Sequence, residues 1–213
     1  MMLFVLAMAL DGCVAFNFFG KANGASTSLK LSAERTSITG GNWKMNPTTL
    51  TEATELAKSI VASADKIKGE AIMFPPAAFL GPVGDILESS PIHLGAQLVY
   101  YEDKGAFTGA ISASMVKSMG ATYVLAGHSE RRTVFGETDE EINKQVMKTI
   151  EHGMYPVLCI GESKEEYDAS LVESVCAIQL AKNLVGVNKD DLKNIVIAYE
   201  PVWAIGKVVF MFP

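Results

Sequence analysis

The sequence has few cysteines and no cluster of basic residues, and each absence excludes a class of protein. Its 213 residues include three cysteines, Cys13, Cys159 and Cys176, at spacings that fit neither a zinc site nor a disulfide framework. The 18 basic residues are outnumbered by 24 acidic ones, which gives a formal net charge of −6. Because nucleic-acid binding requires clustered lysine and arginine, this balance argues against a nucleic-acid partner.

Glycine and proline are not enriched, and long hydrophobic runs are missing from the sequence. With 18 Gly and 8 Pro, the chain is neither collagen-like nor of low complexity. The sequence lacks an apolar run long enough for a transmembrane helix, so we expect no membrane contact in the mature protein. It also lacks the G-x-G-x-x-G, Walker A and H-E-x-x-H patterns, so nothing in it indicates a dinucleotide, nucleoside-triphosphate or zinc-protease site.

The first 35 residues differ in composition from the rest of the chain. Residues 1–10 are apolar, as in the hydrophobic region of a signal peptide, although no basic residues precede them. Residues 20–33 are small, hydroxylated and free of acidic side chains, which is typical of a transit peptide. We predict a two-part targeting presequence over 1–35 that directs the protein to a plastid. The alternatives are a mitochondrial or cytoplasmic protein, a plain secretory signal and a disordered tail.

From residue 36 onward, strand-like and helix-like segments alternate six times. Short apolar runs rich in β-branched residues predict strands of a buried parallel sheet at 36–43, 70–74, 91–95, 122–127, 155–160 and 194–199. Helical patterns lie between them, at about 50–65, 77–88, 112–120, 139–153 and 164–186, with Thr49 or Thr51 as a candidate N-cap of the first. This order predicts one α/β domain over residues 36–213.

Polar side chains follow several of these predicted strands. Asn42 and Lys44 follow the first strand, His128 the fourth and Glu200 the sixth. Because the carboxyl ends of parallel strands meet at one edge of a sheet, these groups are expected to lie together. Each is weak alone, since such residues are often solvated, buried for packing or used in ion pairs. A carboxylate that follows a buried strand loses water, however, which strengthens it as a base.

The exact residues of several segments indicate a protein family more specifically than the strand and helix pattern does. The segments GNWKMN (41–46), GHSERR (127–132), CIGE (159–162) and AYEPVWAIG (198–206) resemble the triosephosphate isomerase family in order and spacing. GAFTGAIS (105–112) resembles the loop through which subunits of that family interdigitate. The resemblance implies a (β/α)8 TIM barrel, interconversion of dihydroxyacetone phosphate and D-glyceraldehyde 3-phosphate, and a homodimer.

The resemblance also implies roles for individual residues. Glu200 matches the family's catalytic base, and His128 matches the neutral electrophile that polarises the carbonyl. Lys44 and Asn42 would stabilise the enediolate and bind the substrate, while Gly206, in the lid segment, would donate its backbone N–H to the phosphate. No metal or organic cofactor is expected, because the substrate's own carbonyl accepts the electrons.

Further matches concern supporting and interface residues. Ser129 and Glu130 match residues behind the catalytic groups, with Glu130 expected near Lys44. Dimer-interface positions are matched by Thr108, Gln97 and Arg131, although Arg131 is also interpreted as structural, as are Glu162 and the thiol of Cys159. Ala110 and Leu98 replace the family's usual Glu and Asn, which leaves the strength of the dimer open.

The match to the family ends early. Residues 36–213 have room for about six of the eight βα units, roughly 70 residues fewer than the family's usual domain. After AIG the sequence reads KVVFMFP, where the family continues with Thr-Gly. A sheet of six strands would leave two unpaired edges and lack the glycine-rich turns that bind phosphate. Two hypotheses stay open: an isomerase of glycolysis, gluconeogenesis and the Calvin cycle, or an inactive truncated or mis-spliced product ending in translated intron.

Overall fold

The computed structural model describes residues 3–9, 37–67 and 69–205. Their strands are β1 (Leu3–Ala9), β2 (Ser37–Asn42), β3 (Glu70–Phe74), β4 (Ile92–Ala96), β5 (Tyr123–Ala126), β6 (Tyr155–Ile160) and β7 (Val196–Tyr199). The six predicted strands are β2 to β7, and each pairs in parallel with the next along the chain. The predicted partial (β/α)8 barrel is therefore confirmed.

The sheet edges differ from the expectation. Within residues 1–35, the predicted targeting presequence, β1 pairs antiparallel with β2, where Val5 lies opposite Gly40. It also pairs antiparallel with β7, where Met8 lies opposite Ile197, so that the sheet closes. The expectation of two unpaired edges is wrong for the described residues, because free N–H and C=O groups of an edge strand pair with an available extended segment.

The helices between the strands are α1 (Leu50–Val61), α2 (Leu80–Leu87), α3 (Ala113–Ser118), α4 (Ser129–Thr133), α5 (Asp139–Glu151), α6 (Lys164–Asp168) and α7 (Val172–Asn183). Thr49, not Thr51, is the N-cap of α1, in a capping box with Glu52. The helix predicted over 164–186 is divided into α6 and α7, because Ser170 has a left-handed φ of 58° that interrupts a right-handed helix. No helix in the described ranges has the length and apolarity to cross a bilayer.

The barrel interior is packed with apolar side chains, and this packing holds the strand ends in place. Its buried cluster includes Ile38, Phe74, Leu125, Val157 and Ala198. Two further clusters fill the space between the sheet and the helices. Gly95 makes room for the central ring, since a Cβ there would lie 2.3 Å from a ring carbon of Phe74. The polar residues that follow the strands therefore project from a closely packed base.

Candidate active site

The structure brings together four of the predicted site residues at the carboxyl edge of the sheet. Asn42 ends β2, His128 stands between β5 and α4, and Glu200 follows β7. These three residues are buried, at 8%, 5% and 8% exposure, although each carries a polar side chain. The fourth, Lys44, is half-buried and bonded to Asn42, whose Oδ1 accepts from the Lys44 backbone N–H at 2.9 Å. The fold thus gathers an amide, an ammonium, an imidazole and a carboxylate.

The imidazole of His128 is held in one orientation. Its Nδ1 accepts a hydrogen bond from the backbone N–H of Glu130 at 3.2 Å. A neutral ring that accepts at Nδ1 carries its proton on Nε2. Burial lowers the pKa of His128, and the nearby carboxylates of Glu200 and Glu130 only partly oppose this effect. His128 is therefore a neutral ring with a donor N–H at Nε2, and Nε2 lies 3.8 Å from Glu200 Oε2, beyond hydrogen-bond distance.

Among the residues that the structure describes, one oxygen of the Glu200 carboxylate has a hydrogen-bond partner and the other has none. Oε2 accepts from the hydroxyl of Ser129 at 3.3 Å, and the Glu200 backbone N–H donates to the carbonyl of Ile160 at 2.8 Å. Within the described residues, Glu200 Oε1 and His128 Nε2 are buried and have no hydrogen-bond partner. Buried polar atoms are almost always paired in folded proteins, so two adjacent unpaired atoms mark a place where another molecule is engaged.

Gly161 allows the backbone of Glu200 to lie close to the end of β6. Gly161 follows β6 in the CIGE segment, and a Cβ built on it would lie 1.9 Å from the backbone oxygen of Glu200. Any side chain at this position would displace the segment that carries the carboxylate.

Lys44 lies in an unusual backbone conformation that a second side chain supports. Its φ is 55°, in the left-handed region that is costly for any residue with a side chain. The amide of Gln97 donates to the carbonyl of Lys44 and to that of Phe74, both at 2.9 Å. The ammonium of Lys44 pairs with Glu130 Oε1 at 2.6 Å, as the resemblance implied for these two residues. Gln97, predicted at the dimer interface, thus directs its amide into its own protomer.

A cleft of about 380 Å³ opens over this edge of the sheet. Asn42, Lys44, His128 and Glu130 line one part of it. Residues of the predicted interface line another part, among them Gln97, Leu98, Ala110 and Arg131. Glu200 lines a separate, smaller pocket together with Gly127, Ser129 and Cys159. The cleft is therefore large enough for a small phosphorylated molecule and has basic, amide and imidazole groups on its wall.

The segment after Glu200 is anchored to the barrel by Glu162. This carboxylate is fully buried and accepts from the Tyr199 hydroxyl at 3.0 Å and from Trp203 Nε1 at 2.8 Å. Its backbone carbonyl accepts from the N–H of Val202 at 3.0 Å. Glu162 therefore occupies the structural position that the sequence analysis assigns to it. Gly206, the predicted phosphate ligand of the same segment, lies outside the described residues.

The remaining predicted residues lie near the cleft or beneath it. Thr108 is exposed at the tip of the loop that follows β4. The guanidinium of Arg131 binds Glu137 Oε1 through Nε at 2.9 Å and Nη2 at 2.8 Å, and its Cζ lies 4.2 Å from the centre of the Phe135 ring. Cys159 is buried, and burial raises the pKa of its thiol, in agreement with a core position.

Arg132 is a half-buried charged residue that the sequence analysis did not single out. Its guanidinium donates to the Gly127 carbonyl at 2.8 Å, to Asp139 Oδ1 at 2.7 Å and to Asn183 Oδ1 at 2.8 Å. These bonds join the end of β5 to α5 and α7 and so fix the turn that carries His128. The double arginine of GHSERR is the one sequence signal for this network, since Asn183 lies 51 residues away along the chain.

Comparison with known proteins agrees with this geometry. The sequence model of the triosephosphate isomerase family matches residues 37–210. A triosephosphate isomerase of Roseiflexus sp. (strain RS-1) is 46% identical over 81% of this chain and 68% of its own length. One from Thermoanaerobacter pseudethanolicus is 44% identical over 81% of this chain and 69% of its own length. One from Trichodesmium erythraeum is 46% identical over 81% of this chain and 70% of its own length. The chain belongs to the triosephosphate isomerase family of enzymes.

Proposed function

We propose that the chain interconverts dihydroxyacetone phosphate and D-glyceraldehyde 3-phosphate, with Glu200 as the catalytic base. The observation that supports this function is that two buried atoms on neighbouring side chains, Glu200 Oε1 and His128 Nε2, have no hydrogen-bond partner in the described part of the chain. One is a proton acceptor and the other a proton donor. Isomerisation of a hydroxyketone to a hydroxyaldehyde requires both, because a proton leaves one carbon while a neighbouring oxygen gains charge.

In the proposed reaction, Glu200 removes a proton from the carbon beside the carbonyl. The electrons of that C–H bond form a carbon–carbon double bond, and the carbonyl electrons move to its oxygen. The neutral His128 donates its Nε2 hydrogen bond to this oxygen, and Lys44 and Asn42 stabilise the developing negative charge. Glu200 then returns the proton to the neighbouring carbon, and protons on the two oxygens exchange through His128. No net oxidation occurs.

The segment from Pro201 to Ile205 would act as the base of a lid over the phosphate. Its short 3-10 turn, Val202–Ala204, is fastened to the barrel through Trp203 and Glu162. A lid with one fixed end can close over a ligand and exclude water, which prevents loss of phosphate from the enediolate. In this proposal the backbone N–H of Gly206 binds the phosphate.

The test is turnover by the full chain, measured together with deuterium incorporation from heavy water into the carbon-bound positions of the product. The variant Glu200→Gln keeps the shape of the side chain and removes the base, so kcat should fall about 1,000-fold. Glu173→Gln, on the exposed surface of α7, is the matched control and should retain full activity. A full chain with no turnover and no exchange would contradict the proposal and favour the inactive fragment.

We further propose that the partner of this chain is a second copy of itself. Two large apolar side chains that line the cleft are exposed, Met45 at 88% and Phe135 at 65%, and Val134 at 72% and Phe107 at 40% are exposed as well. Contiguous exposed apolar residues are typical of protein interfaces. Arg131 pairs with Glu137 of its own chain. This agrees with the replacement of the family's usual Glu by Ala110, because Ala110 of a second copy has no carboxylate that could bind Arg131.

We also propose that residues 1–35 direct import into a plastid. The support is the order of an apolar segment followed by a hydroxylated segment without acidic residues. A fluorescent protein fused after residue 35 should accumulate in plastids of an algal host, and the same fusion without residues 1–10 should remain outside them. Accumulation in mitochondria or the cytoplasm would contradict the proposal.

A further inference from the structure

Toward its C-terminal end, α5 carries basic residues on the side that faces the loop between β4 and α3. This loop, residues 97–112, is called the interface loop below. Lys144, Lys148 and His152 follow one another at intervals of four residues, which places them on one side of a helix. Lys148 and His152 contact Asp103 of the interface loop, and Lys144 contacts its Tyr101.

The carboxylate of Asp103 is bound on both oxygens. Oδ1 lies 2.7 Å from His152 Nε2, and Oδ2 lies 3.0 Å from Lys148 Nζ. The hydrogen bond from His152 is the largest cause that lowers the pKa of Asp103, followed by that from Lys148. Asp103 is therefore ionised at neutral pH, and two donors one helical turn apart fix the direction of its side chain.

Neighbouring contacts support the same arrangement. The ammonium of Lys144 lies 5.0 Å from the centre of the Tyr101 ring, within reach of a cation–π interaction. Lys148 also pairs with Glu151 at 2.7 Å, and Lys117, at the end of α3, donates to the backbone carbonyl of His152. The helices on either side of the loop are thus linked to each other as well as to its stem.

The loop is closed at its neck and exposed at its tip. The backbone N–H of Tyr100 donates to the carbonyl of Ile111 at 2.8 Å, and the Tyr100 ring packs 4.8 Å from that of Phe107. Residues 104–109 are exposed. The hydrogen bond between Tyr100 and Ile111 holds the two ends of the interface loop together. Among the described contacts, the bonds of Asp103 to Lys148 and His152 attach the loop to the rest of the protein at a second point.

We propose that Asp103, bound by Lys148 and His152, is a clamp that positions the interface loop in its own protomer so that the tip is presented to a second copy of this chain. The inference rests on the homodimer proposed above. A loop that is already ordered loses less conformational entropy when it docks, so the clamp increases affinity without touching the partner. Asp103, Lys148 and His152 are thus positioning residues for the interface.

The first measurement is the dissociation constant of the dimer, by sedimentation of the full chain at low ionic strength. Asp103→Asn and Lys148→Met should each weaken the dimer about fivefold, the effect expected for loss of an exposed ion pair. The dimer of the double variant should be weakened by less than the product of the two single effects, because both substitutions break the same contact. Asp168→Asn, which breaks the exposed Lys164–Asp168 pair on α6, is the matched control and should leave the dimer unchanged.

The second measurement reports on the loop itself. Lys104 is exposed beside the clamp, so trypsin cleavage after Lys104 should be several-fold faster in Asp103→Asn than in the control variant at equal monomer concentration. Equal cleavage rates and an unchanged dissociation constant would overturn the clamp. A parent chain that stays monomeric at every concentration would overturn the homodimer instead, and the cleavage rates of the monomers would still decide whether the clamp exists.

Discussion

Two polar clusters lie side by side where β5 meets α4, and they differ in how completely their atoms are paired. Arg132 is bound by Gly127, Asp139 and Asn183 through its guanidinium nitrogens. Four residues earlier, His128 faces Glu200, and each has a buried atom with no partner among the described residues. The paired cluster stabilises the fold, whereas the unpaired cluster keeps donor and acceptor capacity for a ligand. Similar residue types therefore serve different purposes a few ångströms apart.

The largest effect is expected in the paired cluster. Arg132→Met should lower the free energy of unfolding by about 3 kcal/mol, because it leaves the buried Oδ1 of Asn183 without its donor and removes one of the cations paired with the half-buried Asp139. The measurement is urea-induced unfolding of the full chain. Arg131→Met is the control, since among the described residues the Arg131 guanidinium hydrogen-bonds to Glu137 alone, and a loss of about 1 kcal/mol is expected there. Equal losses for the two arginines would remove the distinction between the clusters.

The second effect belongs to the unpaired cluster. His128→Gln should lower kcat about 100-fold while the free energy of unfolding changes by less than about 1 kcal/mol, since Nε2 has no partner to lose among the described residues. Steady-state kinetics and urea unfolding on the same preparations provide both numbers. A variant that unfolds as easily as Arg132→Met, yet retains its activity, would show that His128 is structural.

The smallest effect is a pH dependence of stability. Burial lowers the pKa of folded His128 below its ordinary value of 6.5, so at acidic pH the unfolded chain binds a proton that the folded chain resists. Its contribution to stability is complete above pH 6.5 and is lost as the pH falls below that value toward the folded pKa. The slope is at most about 1.4 kcal/mol per pH unit. Comparing unfolding at pH 7.5 and pH 5.5 should show a smaller difference in His128→Gln than in the parent chain.

Local patterns predicted most of the fold. β3 and β6 coincide with the runs EAIMF and YPVLCI, because a parallel strand buried on both faces is apolar at nearly every position after its first residue. The division of the predicted helix 164–186 depends on the left-handed conformation of Ser170, which nothing in its side chain requires. The pairing of β1 could not be predicted either, because it depends on which backbone groups remain free after the rest of the sheet has formed.

The candidate site shows the same limit. The strand-end rule predicted that Asn42, Lys44, His128 and Glu200 meet, since it needs only the order of the strands. The bonds of Gln97 to the carbonyls of Lys44 and Phe74 were not predictable, because an amide at a strand end has many possible partners. Contacts between residues far apart in sequence, such as Arg132 with Asn183, depend on how the helices pack rather than on any local pattern.

Gly161 has a consequence for anyone who wishes to alter this protein. It carries no functional group, yet the 1.9 Å between its absent Cβ and the Glu200 carbonyl leaves no room for even a methyl group. In a library of random variants, Gly161 should therefore be depleted of substitutions as strongly as the base itself. Moving the Glu200 carboxylate to suit a substrate of another size would therefore require a change in the backbone contact between Gly161 and Glu200.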